Sequence, residues 1–280
     1  MKTSTAVAAV PAPVPAPAPD LVLCEFAETG LPDVASFSPF CAKVIQALRA
    51  SGLPYVSRRA HDPGEFRALN PTGQLPILLV DGVPLADSTR ILAKLVELRP
   101  AAFPGNGPSA RGETHLWEEL ADTHLNGFLV ASRWADDANW PSVQKAYFGG
   151  APWFVRSLIA PRIRAKVLRG LHARDVWRAG PDACWESFAA TLDALEARAP
   201  EEGFWLEAGF STADIALAAQ LDALRTPLTP RQATLVAARP HLARWLDRVD
   251  AAVRRGPRRV PAFEPSLAPV FVDPSLHASC

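Results

Sequence analysis

Apolar positions change their period several times between residues 20 and 100. Leu21–Phe26 is a nearly unbroken apolar run, short enough for a buried strand. Over Pro39–Ser51 the period lengthens: Phe40, Val44, Ala47, Leu48 and Ser51 fall on one helical stripe, and Gly52 follows as a stop signal. Pro54–Arg58 reads as a second strand and His61–Leu69 as a short polar segment. Ile77–Val80 and Val83–Ala86 flank Asp81-Gly82, the pattern of a β-hairpin. Asp87–Arg99 returns to helical spacing through Ile91, Leu92, Leu95 and Leu98. From Ser109 onward every periodic segment is helical, most clearly Gly112–Ser132, Cys184–Ala199, Thr212–Leu224 and His241–Arg254. Prolines and aromatics interrupt Gly149–Pro161.

The order predicts an α/β unit over residues 21–99, a linker at 100–108 (PAAFPGNGP) and an all-helical unit over 109–255. An Ala/Pro-rich stretch, 1–20, is expected to be disordered or polyproline II, and a Pro-rich stretch, 256–280, to be irregular. The chain has 280 residues, 49% hydrophobic and 21% charged, which suits a globular protein with a sizeable core. Its 29 basic and 29 acidic residues cancel, against a nucleic-acid binder driven by bulk charge. With no apolar run of about 18 residues, no membrane span is expected. The N-terminal prolines break the apolar region that a signal peptide needs, so a cytoplasmic protein is expected. Cys24, Cys41, Cys184 and Cys280 are too scattered for a disulfide scaffold or a zinc-type pair, which suggests a reducing compartment and no metal.

Three short stretches carry chemistry. Ser38-Pro39-Phe40-Cys41 has the spacing of a Cys-x-x-Cys pair at a predicted helix start, with serine in place of the first cysteine. A helix N-terminus favours a thiolate through its free N–H groups and dipole. Serine there gives up disulfide exchange and offers a hydrogen bond to a thiolate that arrives from elsewhere. Asn70 to Leu78 is a turn before a strand, with Pro76 at the corner. A cis bond there would turn the Leu75 N–H and C=O toward an extended ligand; a plain loop-to-strand corner is the alternative. Asp87-Ser88 opens a helix as an ordinary cap, or as a site for a head group bearing one carboxylate and one ammonium.

Those three stretches, in that order and separation, resemble the thioredoxin-like domain of the glutathione S-transferase superfamily. Gly209-Phe210-Ser211-Thr212-Ala213-Asp214-Ile215 resembles the capping box of its helical domain, with Ser211 and Asp214 bonding each other's backbone. The resemblance covers roughly residues 21–254. Within it, Arg133-Trp134, Asn139-Trp140, Tyr147-Phe148-Gly149 and the basic run Arg162 to Arg174 resemble the metaxin and failed-axon-connections branch, whose members are not all proven catalysts.

The resemblance implies a thioredoxin-like N-terminal domain followed by a helical-bundle C-terminal domain. It also implies glutathione as co-substrate, no metal, a homodimer, and attack of the thiolate on an apolar electrophilic small molecule. Conjugation, isomerisation and cleavage of an ether or halide all remain open. Ser38 would donate to the glutathione sulfur. Ser36 is its rival, because some members carry the working serine two or three positions before the proline-containing turn. Phe40 and its neighbours at the helix start, Gln74, Leu75, Pro76, Asp87 and Ser88 would hold the tripeptide. Leu75 would pair with its cysteinyl unit, Asp87 and Ser88 with the γ-glutamyl head, and Gln74 would lie near the glycine carboxylate. Two alternatives stand beside this: a non-catalytic adaptor of metaxin-like type, and a thiol reductase or peroxidase working through Cys41. His115, Glu119 and Asp122 have a spacing that can bind metal, but read better as a solvated face. The basic run reads as solvated or as a face for phosphates or anionic lipid.

Overall fold

Leu21–Phe26 forms β1, the strand around which the N-terminal half is built. The computed structural model describes residues 19–31 and 34–254, so the stretch expected to be irregular at 256–280, and that at 1–20 apart from residues 19 and 20, lie outside the described residues. β1 pairs in parallel with β2, Val56–Ala60, with Val22 opposite Val56 and Phe26 opposite Ala60. On its other side it runs antiparallel to β3, Ile77–Val80, which pairs in turn with β4, Val83–Ala86. The sheet order is therefore β2-β1-β3-β4. β2 begins two residues later than the sequence pattern predicts, because Pro54 has no N–H to give a ladder.

Both faces of β1 are covered, which explains its unbroken apolar run. Leu21 and Leu23 join Val44, Leu48, Ile91 and Leu95 in the main core, whereas Cys24 and Phe26 join Cys41, Ala60, Phe66, Leu75 and Ile77 in a smaller cluster. The helices behind the first set are α1, Pro39–Ser51, and α2, Ser88–Leu98. Gly52 ends α1 in the left-handed conformation, φ 69°, with its N–H on the Arg49 carbonyl.

The rest is helical. α3 spans 111–135, with wider π-type stretches at Leu120–Leu125 and Ala131–Ala135. α4 is Trp140–Phe148, and α5 spans 153–172. Where the sequence pattern shows an interruption, α5 runs through Pro161: the widened stretch Val155–Ile159 precedes it, so no tight i→i−4 bond is lost to the ring. α6, Pro181–Arg198, α7, Thr212–Leu224, α8, Pro230–Ala237, and α9, Pro240–Arg254, follow among the described residues. The architecture is thus a thioredoxin-like α/β domain followed by a helical domain. Every residue of α7 except Asp222 is buried, and the helix packs against both α1 and α3. Its capping box is present: the Ser211 N–H and hydroxyl donate to Asp214 at 2.9 and 2.8 Å. Asp214 also accepts from the Trp205 N–H at 2.7 Å and the Trp245 indole at 3.0 Å, tying the preceding loop to α9.

Candidate active site

The chain arrives at α1 from the C-terminal end of β1. Ser38 is the N-cap, with extended backbone and its Oγ accepting the Cys41 N–H at 3.3 Å, and Pro39 fills the first helical position. Two residues earlier, Ser36 Oγ accepts the Ser38 N–H at 3.2 Å. Each hydroxyl thus spends a lone pair on the backbone and keeps its proton to donate. Both serines are buried, and the Cys41 thiol lies within hydrogen-bonding reach of both hydroxyls and of the Phe26 backbone. The structure therefore brings Ser36, Ser38 and Cys41 into one cluster. Burial pushes the Cys41 thiol up to about 12, with Glu25 adding to the rise and the three hydrogen bonds opposing it. At neutral pH Cys41 is a protonated, enclosed thiol, the opposite of an activated nucleophile.

Of the other expected residues, Leu75 shares the smaller buried cluster with Cys41. Phe40, second in α1, is half-buried. The Leu75–Pro76 bond is cis. Among the described residues, neither the Leu75 N–H nor its C=O takes part in the backbone bonds of the turns and loops. Asn70 shapes that corner: its Nδ2 donates to the Gln74 carbonyl at 2.9 Å and its Oδ1 accepts from the Thr72 hydroxyl at 2.9 Å. Gln74, half-buried, donates its N–H to Thr72 Oγ1 at 3.3 Å. Asp87 caps α2 with φ at +81°, a conformation costing a non-glycine residue about 1–3 kcal/mol and found where ligands are clamped. Its Oδ1 accepts the Arg90 N–H at 3.0 Å, which leaves the N–H groups of Ser88 and Thr89 without intrahelical acceptors. Asp87 is exposed and Ser88 buried, so a charged head group would meet the carboxylate at the surface and the helix N-terminus beneath it.

Two buried cations beside the site escape a reading of the sequence. Arg133, on α3 and 3% exposed, donates through Nη1 to the Phe37 carbonyl at 2.5 Å and the Tyr147 hydroxyl at 3.0 Å, and through Nη2 to the Ala223 carbonyl at 3.0 Å. It grips the loop between the two serines. Phe37 also stacks on Tyr147, with ring centroids 4.5 Å apart. Beyond its place in the Arg133-Trp134 resemblance, the signal for Arg133 is one charge inside the otherwise uncharged run Phe128 to Trp134. Lys43, on α1, meets Asp122 at 2.6 Å, Glu118 at 3.4 Å and the Thr89 hydroxyl at 3.1 Å. Burial pulls its pKa down, but the two carboxylates outweigh that and hold it above the usual lysine value. Asp122 is thereby turned inward while His115 and Glu119 stay exposed, so that trio does not converge.

The chain matches the family model "Glutathione S-transferase, N-terminal domain" over residues 37–98. It matches "Glutathione S-transferase, C-terminal domain" over residues 164–248. An isoprene-epoxide–glutathione S-transferase from Rhodococcus sp. (strain AD45) is 24% identical over 227 residues, covering 79% of this chain and 93% of the relative. Glutathione S-transferase 3 from Zea mays is 27% identical over 253 residues, covering 86% and 95%. Among solved structures, the β-etherase LigF from Sphingobium sp. strain SYK-6 superposes with a TM-score of 0.57 at 21% identity, over 84% of this chain and 97% of that one, a likeness of fold.

Proposed function

Because the chain belongs to the glutathione S-transferase superfamily, we propose that it is a glutathione-dependent transferase in which Ser38 holds the thiolate of glutathione. The observation that carries this reading is the Ser38 hydroxyl itself: an N-cap at the start of α1 whose oxygen accepts the Cys41 N–H and whose hydroxyl lies in a cluster with a thiol. A free thiol titrates near 8.5, and each unit of lowering is worth about 1.4 kcal/mol of thiolate stabilisation. A hydrogen bond from Ser38 and the dipole of α1 both act in that direction. The Leu75 backbone pairs with the cysteinyl unit, Ser88 and the α2 N-terminus take the γ-glutamyl carboxylate, and Asp87 takes its ammonium. Gln74 faces the glycine end and Phe40 lines the start of α1. Ser36 supports the loop through the Ser38 N–H, and Cys41, enclosed and protonated, packs behind it.

In the reaction the sulfur lone pair forms a C–S bond to an electrophilic carbon of an apolar compound as the bond to the leaving oxygen or halide breaks. The protein contributes proximity and a stabilised thiolate. The rhodococcal relative is named for an epoxide, and an electrophilic carbon bonded to oxygen is the substrate class we favour. A two-fold dimer and a cytoplasmic setting complete the reading.

The test compares Ser38→Ala, Ser36→Ala and Cys41→Ala for retention on immobilised glutathione and for rate with a generic aryl halide. Ser38→Ala is expected to lower kcat/KM by roughly a hundredfold, the scale of one lost donor to a developing anion, with Cys41→Ala near wild type. Equal and small effects from all three would sink the serine assignment. Loss confined to Cys41→Ala would point to thiol redox chemistry, and a wild type that neither binds glutathione nor turns over would leave an adaptor.

A further inference from the structure

We propose that the outer face of α5 docks this protein on an anionic membrane surface. Val155, Ala160, Val167 and Leu171 bury the inner face of that helix. The outer face begins with three large apolar side chains in water: Trp153 is 67% exposed, Phe154 45% and Leu158 52%. Phe154, Leu158, Arg162 and Lys166 follow one another at spacings of four, so the apolar end runs into a basic one along a single stripe. Asp137 and Asp175 bracket a stretch that contains no carboxylate, in a chain whose charges balance overall. Among its cations, Arg164 turns inward to Asp137 and Trp140, and Arg174 to Asn126. Lys145, Arg156, Arg162, Lys166 and Arg169 stay exposed.

Exposed Trp, Phe and Leu beside a run of exposed basic residues is the composition of a helix that lies in a membrane interface, its rings at the acyl boundary and its cations at the phosphates. No helix among the described residues is long and apolar enough to cross a bilayer, so the contact is peripheral. A second copy suits this surface poorly, because a two-fold contact would set the arginines of one protomer against those of the other.

The experiment sediments the full chain with vesicles of phosphatidylcholine alone and of phosphatidylcholine with phosphatidylglycerol, at low and high salt. Binding is expected only with phosphatidylglycerol and is expected to weaken with salt. R162Q/R169Q should lower the partition coefficient about thirtyfold, from the typical contribution of two basic residues near such a surface. W153S/F154S should lower it at least about tenfold. Circular dichroism spectra matching wild type establish that both variants are folded. The proposal is overturned if wild type ignores anionic vesicles, or if neither pair of substitutions weakens binding. It is also overturned if W153S/F154S abolishes self-association in a protein that binds no vesicles, which would make the face a contact between copies. Binding to soluble polyglutamate as strong as to vesicles, and insensitive to W153S/F154S, would assign the face to an acidic protein instead.

Discussion

Replacing Arg133 with methionine tests how firmly the helical domain holds the Ser36–Ser38 loop. Three acceptors lose a donor: the Phe37 carbonyl, the Tyr147 hydroxyl and the Ala223 carbonyl. The last keeps the Thr226 hydroxyl at 3.4 Å, so two buried groups are orphaned. Each orphan costs about 1–3 kcal/mol, about 2–6 kcal/mol together. Methionine returns part of this by removing a buried charge whose Nε has no hydrogen-bond partner. The net expectation is a loss of about 2–4 kcal/mol in urea unfolding followed by circular dichroism. Arg133→Lys should fall between wild type and Arg133→Met, because one ammonium cannot span three acceptors that a planar fork reaches from two nitrogens. Under the proposed function the KM for glutathione and kcat should both worsen in Arg133→Met, since the displaced loop carries Ser38. An Arg133→Met protein within about 0.5 kcal/mol of wild type, with an unchanged rate, would refute the claim that this guanidinium sets the loop.

Lys43→Met should cost about 3–5 kcal/mol by chemical denaturation, because Glu118 and Asp122 are left charged with their buried cation gone; the triple change K43M/E118Q/D122N should recover much of that. Two glycines should respond to alanine with opposite sign in thermal melts. A Cβ on Gly105 would sit 2.2 Å from the Gly209 carbonyl and destabilise by roughly 2–4 kcal/mol, whereas one on Gly112, in α3, meets nothing within 4 Å and should stabilise by up to about 1 kcal/mol. Burial pushes the Cys24 thiol up to about 11 and those of Cys41 and Cys184 to about 12, from an ordinary 9.0. The folded state therefore holds these protons longer than the unfolded chain does, so the stability they contribute is intact below pH 9 and drains as pH rises toward 11–12. Each thiol should cost about 1.4 kcal/mol per pH unit in that window, and Cys41→Ala should remove one thiol's share of the slope in unfolding curves at graded pH.

What was legible in the sequence is what is decided locally. The run Leu21–Phe26 read as a strand, Asp81-Gly82 closed a hairpin, and Gly52 stopped a helix at the position where the chain turns left-handed. The candidate site was readable for the same reason. Ser38 and Asp87 are N-caps, and a cap bonds a backbone N–H three residues on, within the reach of a motif. Lys43 and Arg133 are different. Lys43 meets Asp122 from 79 positions away, and Arg133 meets Phe37 from 96. Along the chain each is one cation on a helix, and only the packing of α3 against the N-terminal half gives it partners. The aromatics were unsortable for the same reason: Trp134 and Tyr147 are buried while Trp153 stands in water, and no local spacing separates them.

Those long-range contacts close a ring with a mechanical consequence. Ser38 caps α1, α1 packs on α7, and the C-terminal end of α7 offers the Ala223 carbonyl to Arg133. Arg133 then returns to the Phe37 carbonyl, one residue before Ser38, while Phe37 stacks on Tyr147 of α4. A carbonyl at a helix C-terminus is where a cation is favoured, so the guanidinium is drawn to α7 by the helix dipole and to the loop by a hydrogen bond. The serine that would meet the sulfur is thus positioned by side chains of the helical domain as much as by its own strand and helix. Under the proposed function, variation in α3 or α4 must either preserve the Arg133–Phe37–Tyr147 contact or move Ser38 with it. Substrate choice and thiolate activation are then coupled, under the proposed function, through Arg133, Phe37 and Tyr147.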